Sequence, residues 1–341
     1  MPAPELMLGG VMSAGLVLYL LFGGADFGGG VWDLLASGPR KREQRALIED
    51  AIGPVWEVNH VWLIFVVVML FSAFPRAFAA ISIALHVPLT AFLLGIVARG
   101  SAFTFRAYDS RADARQRRWG LVFSWASIIS PILLGMAVGA LASGRIRVQG
   151  TTVRGGFFAP WVSPFCWAVG VLALSMVALL AAAYLAYEAP LGSPLQNDFR
   201  RRALASAGGV LFLAAVTFAL AEDGAPQVRA GLTQRPWNMV LYGAAAVMAA
   251  GAMGTLWRRR FGWARVLTAA WVSTILLGWI AAQYPFLVVP DVTLQGAAAH
   301  RKTLTLLLWA VGLGSVLLAP SLYVLFRVFK GSRQMPPASH G

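Results

Sequence analysis

Residues 7–35, MLGGVMSAGLVLYLLFGGADFGGGVWDLL, form a long apolar stretch that decides the fold class. A membrane-spanning helix needs about 20 mostly apolar residues. This stretch is longer, so we expect a helix that tilts or whose end near 31–36 reaches the membrane interface. No positively charged segment precedes it and it is too long for a signal peptide. We therefore expect it to be a retained transmembrane helix.

The rest of the chain has the same character. Of its 341 residues, 58% are hydrophobic and 12% are charged, and the mean hydropathy is +0.69. Soluble domains carry about 25% charged residues. We therefore predict an all-α integral membrane protein of about nine transmembrane helices, with residues 1–330 as one polytopic domain and 331–341 as a disordered cytoplasmic tail. The predicted spans lie near 7–35, 54–74, 77–98, 119–142, 163–187, 204–222, 237–257, 263–284 and 303–328.

The net charge of +14 does not indicate a nucleic-acid partner, because the basic residues lie in short clusters between apolar runs. We interpret these clusters as signals of membrane topology. By this assignment, 20 of the 28 lysines and arginines fall in alternate loops and the C-terminal tail. The positive-inside rule then places the N-terminus outside and the C-terminus in the cytoplasm. Cys166 is the single cysteine, which excludes an intrachain disulfide, and no histidines stand at i,i+4, so we predict no metal site.

Polar groups inside apolar spans are costly and are therefore candidates for function. Asp26 lies between two glycine runs that include Gly24 and Gly28. The glycines predict close contact with another helix. Asp26 itself is predicted either to make a structural hydrogen bond between helices or to relay protons, and the residues alone do not decide between these roles.

A second polar cluster, GPVWEVNHVW at 53–62, begins the second predicted span. Glu57 and His60 are three residues apart and share a helix face, where a carboxylate and an imidazole can pass protons. The alternative is a structural pair at the membrane interface, in which the two side chains only satisfy each other's hydrogen bonding. The other members of this cluster are predicted to be structural or interface residues: Pro54, Trp56, Asn59 and Trp62.

Taken together, these segments resemble subunit II of cytochrome bd-type quinol oxidases. The similarity runs in order along most of the chain, and the segment at 51–63 is its most specific part. The family often has aspartate at the position of Glu57, and Gly-Phe-Asp where this chain has Gly-Ala-Asp. A carboxylate is therefore kept at both positions, but the side chain of Glu57 is longer. The matching segments are GADFG at 24–28, AIGPVWEVNHVWL at 51–63, LFSAFP at 70–75, RGSAFTFR at 99–106, which begins with Arg99, and PFLVVPDVTLQGAAA at 285–299.

The resemblance implies a non-haem subunit of a terminal oxidase that oxidises quinol and reduces dioxygen to water. The implied partner is a haem-bearing subunit I that carries haems b and d, in a heterodimer that can include a small accessory subunit. The chain would bind no haem itself, could hold a structural quinone, and would work with membrane lipid and the quinone pool of a bacterial cytoplasmic membrane. It would stabilise subunit I, and Asp26, Glu57 and His60 would contribute to a proton path from the cytoplasm, with Arg99 as a structural residue.

Two rival functions remain open at this stage. The first is an ion-coupled secondary transporter that uses Asp26 and Glu57 as coupling groups. The second is a structural membrane scaffold with no transfer chemistry. Haem absorbance in a co-purified complex would support the oxidase, whereas substrate flux in vesicles that contain this chain alone would support the transporter.

Overall fold

A computed structural model describes residues 3–53, 56–108, 113–150 and 152–331. These ranges contain thirteen helices and two short antiparallel hairpins, β1–β2 and β3–β4. In chain order the elements are α1 (Pro4–Leu34), α2 (Lys41–Ile52), α3 (Trp56–Ala73), α4 (Pro75–Ala84), α5 (His86–Tyr108), α6 (Asp113–Ala142), β1 (Arg147–Gln149), β2 (Thr152–Arg154), α7 (Pro164–Glu188), α8 (Pro194–Gly224), α9 (Pro226–Thr233), α10 (Asn238–Trp257), α11 (Phe261–Gln283), β3 (Phe286–Val288), β4 (Val292–Thr293), α12 (Leu294–Ala297) and α13 (Arg301–Gly331).

Within the described ranges, eight helices are long and apolar enough to cross a membrane. The α2–α3 pair, bent by 52°, raises the number to nine if it counts as one span. The prediction of an all-helical membrane protein with about nine spans is therefore confirmed. The side on which each terminus lies stays a prediction, and so do the division into one domain and the disordered tail, most of which lies outside the described residues.

The bundle has two distinguishable ends. At one of them, which we call the α2 end, α2 packs its inward face of Gln44, Ile48 and Ile52 onto the helices. A bidentate ion pair between Arg40 and Asp198, with N–O distances of 2.8 and 2.7 Å, ties α2 to α8 there. At the other end, the hairpin end, Arg147, the first residue of β1, pairs with Asp291, which precedes β4.

Proline and serine set the starts of two central helices. Ser163 and Ser193 precede Pro164 and Pro194, which are the first residues of α7 and α8. Each serine Oγ accepts a hydrogen bond from a backbone N–H three residues on, at 3.2 and 3.1 Å. Such caps satisfy N–H groups that a helix leaves without an internal partner, and proline costs nothing at the first position. Both starts are therefore locally encoded.

The glycines of α1 let α7 approach its backbone closely. A Cβ added at Gly28 would overlap the carbonyl oxygen of Val177, and one at Gly24 would lie 3.1 Å from the Val177 Cγ1. At Gly28 only hydrogen fits between the two backbones, so a side chain there would force the helices apart. The close contact predicted for this glycine run therefore occurs between α1 and α7 of the same chain.

One predicted span is wrong, and one helix extends well beyond its predicted span. The span predicted at 77–98 is interrupted at Leu85, so that α4 ends at Ala84 and the membrane-crossing helix starts at His86. His86 is therefore exposed at a helix start, with its Nδ1 2.9 Å from the carbonyl oxygen of Ile83, and does not lie mid-span. The helix α8 begins at Pro194, ten residues before the span predicted at 204–222, because the basic run at 200–202 continues the helix.

Candidate functional site

Asp26 of α1 lies buried against Asn59 of α3. The Asn59 Nδ2 donates a hydrogen bond of 2.8 Å to the Asp26 Oδ2, and each residue is 4% exposed. A buried carboxylate needs donors and opposite charge to be stable. The predicted candidate Asp26 and the predicted structural residue Asn59 therefore form one interhelical polar pair.

Arg99 supplies a buried positive charge beside this pair. Its side chain is 2% exposed, its Nε donates 3.1 Å to the Ser127 Oγ, and it attracts Asp26 electrostatically. The guanidinium carbon lies 5.0 and 5.1 Å from the ring centroids of Phe27 and Phe123. Such cation–π contacts partly replace the lost water. The span predicted at 77–98 would leave Arg99 in the loop that follows, and this is wrong, because these partners allow α5 to carry the charge inside the bundle.

His60 faces Arg99. The ring is half-buried, and its Nε2 lies 3.3 Å from the Arg99 Nη1. Because a guanidinium only donates, the Nε2 is the acceptor, which assigns the neutral imidazole with its proton on Nδ1. The rings of Phe27 and Tyr19 flank the imidazole at centroid distances of 5.7 and 6.1 Å. His60 thus belongs to the buried cluster around Arg99 and Asp26.

Glu57 lies on a different side of α3. It is exposed, whereas Asn59, two residues on, makes the contact with Asp26. Trp62, half-buried, packs edge-on to Phe65 with 6.3 Å between ring centroids. Of the other predicted residues of this segment, Pro54 lies outside the described residues, and so does the side chain of Trp56.

A second buried carboxylate was missed by the sequence analysis. Asp33 is 1% exposed, accepts a hydrogen bond of 3.2 Å from the Ser124 Oγ, and lies 3.6 Å from the Arg45 Nε. The signal was present, because Asp33 is seven residues after Asp26 and residues at this spacing share a helix face. One face of α1 therefore carries two aspartates, both toward the α2 end.

A cavity of about 320 Å³ reaches the Asp26–Asn59 pair from one side of the bundle. Its lining residues come from α1, α2, α3, α7 and α11, and Gly29 forms part of its wall. Glu188, the last residue of α7, and Arg265 also line it. The Arg265 guanidinium carbon lies 3.9 Å from the centroid of the Tyr187 ring, so a cation–π contact holds the arginine beside the cavity.

Comparisons with known proteins agree with this architecture. The structure of bd oxidase from Geobacillus thermodenitrificans contains a chain with the same fold, at a TM-score of 0.80 and 22% identity, and the superposition covers 96% of this chain and 98% of that one. The Escherichia coli (strain K12) protein named cytochrome bd-I ubiquinol oxidase subunit 2 is 28% identical over 193 residues, which is 53% of this chain and 47% of that protein.

The protein named cytochrome bd ubiquinol oxidase subunit 2 of Bacillus subtilis (strain 168) is 34% identical over 125 residues, which is 36% of this chain and 35% of that protein. These matches thus span between about a third and a half of the length of the curated relatives. The sequence profile of a whole family, described as cytochrome bd terminal oxidase subunit II, matches residues 4–329. The chain therefore belongs to the cytochrome bd terminal oxidase subunit II family.

Proposed function

We propose that this chain is the non-haem subunit II of a terminal oxidase complex that oxidises quinol and reduces dioxygen to water. The family membership over residues 4–329 carries this proposal. The chain would be one subunit of a quinol:oxygen oxidoreductase, pairing with a haem-bearing subunit I in a bacterial cytoplasmic membrane. Its work would be to stabilise that subunit and to conduct protons toward it.

The histidines of the described residues do not fit a haem-ligating role. The Nε2 of His60 accepts from Arg99, and the Nδ1 of His86 lies against a backbone carbonyl at an exposed helix start. His300 is also exposed, at the hairpin end before α13. We therefore derive no step through haem in this chain, and we assign haems b and d to subunit I as part of the proposal.

The proposed proton path centres on Asp26. A carboxylate buried beside an amide donor and near a fixed guanidinium is costly to build, so a purely structural residue would be cheaper as a neutral amide. Proton conduction gives a reason for an ionisable group there, because a carboxyl can accept and release protons. The proposed path also includes His60, which lies inside the cluster, and Glu57, which lies on the outer side of α3.

Purification of the two-subunit complex tests the assignment directly. We expect haem absorbance to co-purify with this chain and the complex to consume oxygen with quinol. Substrate flux in vesicles that contain this chain alone, with no haem partner, would instead favour a transporter.

The variant Asp26→Asn tests the proton path, because it removes the ionisable group and keeps the shape. We expect slower quinol-driven oxygen consumption at unchanged haem content. Asp223→Asn, an exposed aspartate at the hairpin end of α8, is the matched control and should retain the wild-type rate. Normal turnover of a fully assembled Asp26→Asn complex would contradict the path.

A further inference from the structure

The cavity beside Asp26 connects a buried carboxylate with the edge of the bundle. Asp26 and Asn59 lie at its inner side, eight residues or about 12 Å along α1 from the last residue of that helix. Glu188 and Arg265 lie at its outer side, at the α2 end. The cavity therefore extends from the buried polar pair to the α2 end, and α3 contributes only Asn59 to its lining.

The cavity has room for a chain of water molecules. A cavity needs about 10–15 Å³ of such space to hold one water molecule, so about 320 Å³ leaves room for a chain of several. Its walls are mostly apolar, but the Asp26 carboxylate and the Asn59 amide at one side and Glu188 at the other supply polar partners. Because polar groups lie at both sides, water is favoured over an apolar molecule as the occupant of the cavity.

Glu188 has the position that proton uptake requires. Among the described residues that line the cavity, Asp26 and Glu188 are the two carboxylates. Glu188 is half-buried at the last turn of α7, where it can exchange protons with bulk water. Arg265, which lines the same cavity, carries a fixed positive charge that disfavours passage of metal cations.

We propose that Glu188 takes up protons at the α2 end and that water in this cavity carries them to Asp26. This inference rests on the proposed function, in which the complex consumes protons to form water. The Glu188 carboxylate accepts a proton from hydronium in bulk water and gives it to the first water of the chain, and the last water gives a proton to the Asp26 carboxylate. Glu188 thereby returns to the anion, so only O–H bonds form and break and the proton count balances. By the predicted topology the uptake side is the cytoplasm.

Thiol chemistry can test whether water fills the cavity. Ala25→Cys places a thiol on the cavity wall, whereas Ala182→Cys places one at a fully buried position that is not part of the wall. The native Cys166 is fully buried and gives a low background. Each variant of the whole complex, in native membranes, is exposed to a membrane-impermeant methanethiosulfonate carrying a sulfonate, and the mass of this chain is measured.

We expect Ala25→Cys to react, Ala182→Cys to stay unmodified, and the adduct in the cavity to slow oxygen consumption. Reaction of Ala25→Cys only after the lipid has been removed would overturn the proposal, because the occupant would then be an acyl chain. Failure to react under either condition would overturn it as well, as would full modification with no loss of rate.

Variants of the carboxylate test the uptake step. Glu188→Gln should lower the oxygen-consumption rate about tenfold or more, as expected for loss of a proton-transferring group, at unchanged haem content. Glu188→Asp should recover part of the rate, since it keeps the proton and changes only reach. Glu43→Gln, an exposed carboxylate on α2 at the same end, is the matched control and should match the wild type.

A comparison of Glu188→Gln with Asp26→Asn distinguishes failure of the uptake step from failure of the whole proton path. If Asp26→Asn is slow and Glu188→Gln has the wild-type rate, uptake through Glu188 is wrong while the proton path through Asp26 stands. If both variants assemble and both turn over at the wild-type rate, the proton path itself is wrong, and the uptake step is wrong with it.

Discussion

A graded series of glycine variants on α1 measures how tightly this helix packs. The residues Gly10, Gly24 and Gly28 differ in what an added methyl group would meet. Nothing lies within 4 Å at Gly10, and a Val177 methyl group lies 3.1 Å away at Gly24. At Gly28 the new carbon would sit 2.0 Å from the Val177 carbonyl oxygen and 2.6 Å from the Ala181 Cβ.

The size of the effect follows from these distances. An ordinary contact of a Cβ begins at 3.4 Å, so Gly28→Ala requires α1 and α7 to separate by about 1.4 Å, and neither backbone can rotate away as a side chain can. Overpacking costs about 1–3 kcal/mol, and a rigid backbone neighbour places this variant at the upper end. Gly24→Ala should cost less, since a valine methyl can yield, and Gly10→Ala should be close to neutral.

The assay is reversible unfolding of the purified chain in mixed micelles with increasing denaturing detergent, with recovery of the two-subunit complex as a second readout. Because 1.4 kcal/mol is a factor of ten, Gly28→Ala should shift the folding equilibrium roughly 100-fold. Equal stability of all three variants would refute the packing argument. If Gly28→Ala lowered recovery of the complex but left this chain's own stability unchanged, the glycine would face subunit I and not α7.

Three further predictions concern topology, pH and Glu57. Reporter fusions at the C-terminal tail and in the segment between α8 and α10 should report opposite sides of the membrane, and matching signals would exclude nine crossings. At the hairpin end, hydrogen bonds from Arg147 hold the pKa of Asp291 below its usual value. This pair therefore stabilises the fold above the unfolded-state pKa of about 4 and loses its effect as pH falls. Asp291→Asn should flatten the acid-side decline in thermal stability, and an unchanged decline would exclude this pair as its cause. Glu57→Gln should slow oxygen consumption at intact haem content, whereas wild-type turnover from pH 6 to 9 would make Glu57 structural.

The sequence was a good guide wherever a feature is local. Apolar length located the spans, and the serine–proline pairs at α7 and α8 mark their own starts. It was a poor guide to the position of Arg99, because hydropathy averaged over a window of residues treats every charged side chain as exposed. Arg99 is stable inside the bundle through Ser127, which is 28 residues away, and through aromatic rings from α1 and α6. No periodicity within α5 encodes those partners.

The polar cluster shows the same division between local and distant information. Asp26, Asn59, His60 and Arg99 were each singled out from the sequence, but their pairing was not. The spacing of Glu57 and His60 suggested that they act together, whereas His60 contacts Arg99 and Asn59 contacts Asp26. Contacts across 33 or 39 residues depend on how three helices pack, which the chain specifies only as a whole.

The geometry of α3 also constrains any route that uses Glu57. Successive helix residues are rotated by about 100°, so Glu57 and Asn59 point about 200° apart. Since Asn59 points to Asp26, Glu57 points away from it, toward whatever covers the outer side of α3. A proton on Glu57 can therefore reach Asp26 only around the helix, through groups that a partner subunit or lipid-side water supplies. Glu188, by contrast, lines the same cavity as Asp26. If both glutamates conduct protons as proposed, Glu57 and Glu188 would serve different surfaces of the chain and would not be consecutive steps of one relay.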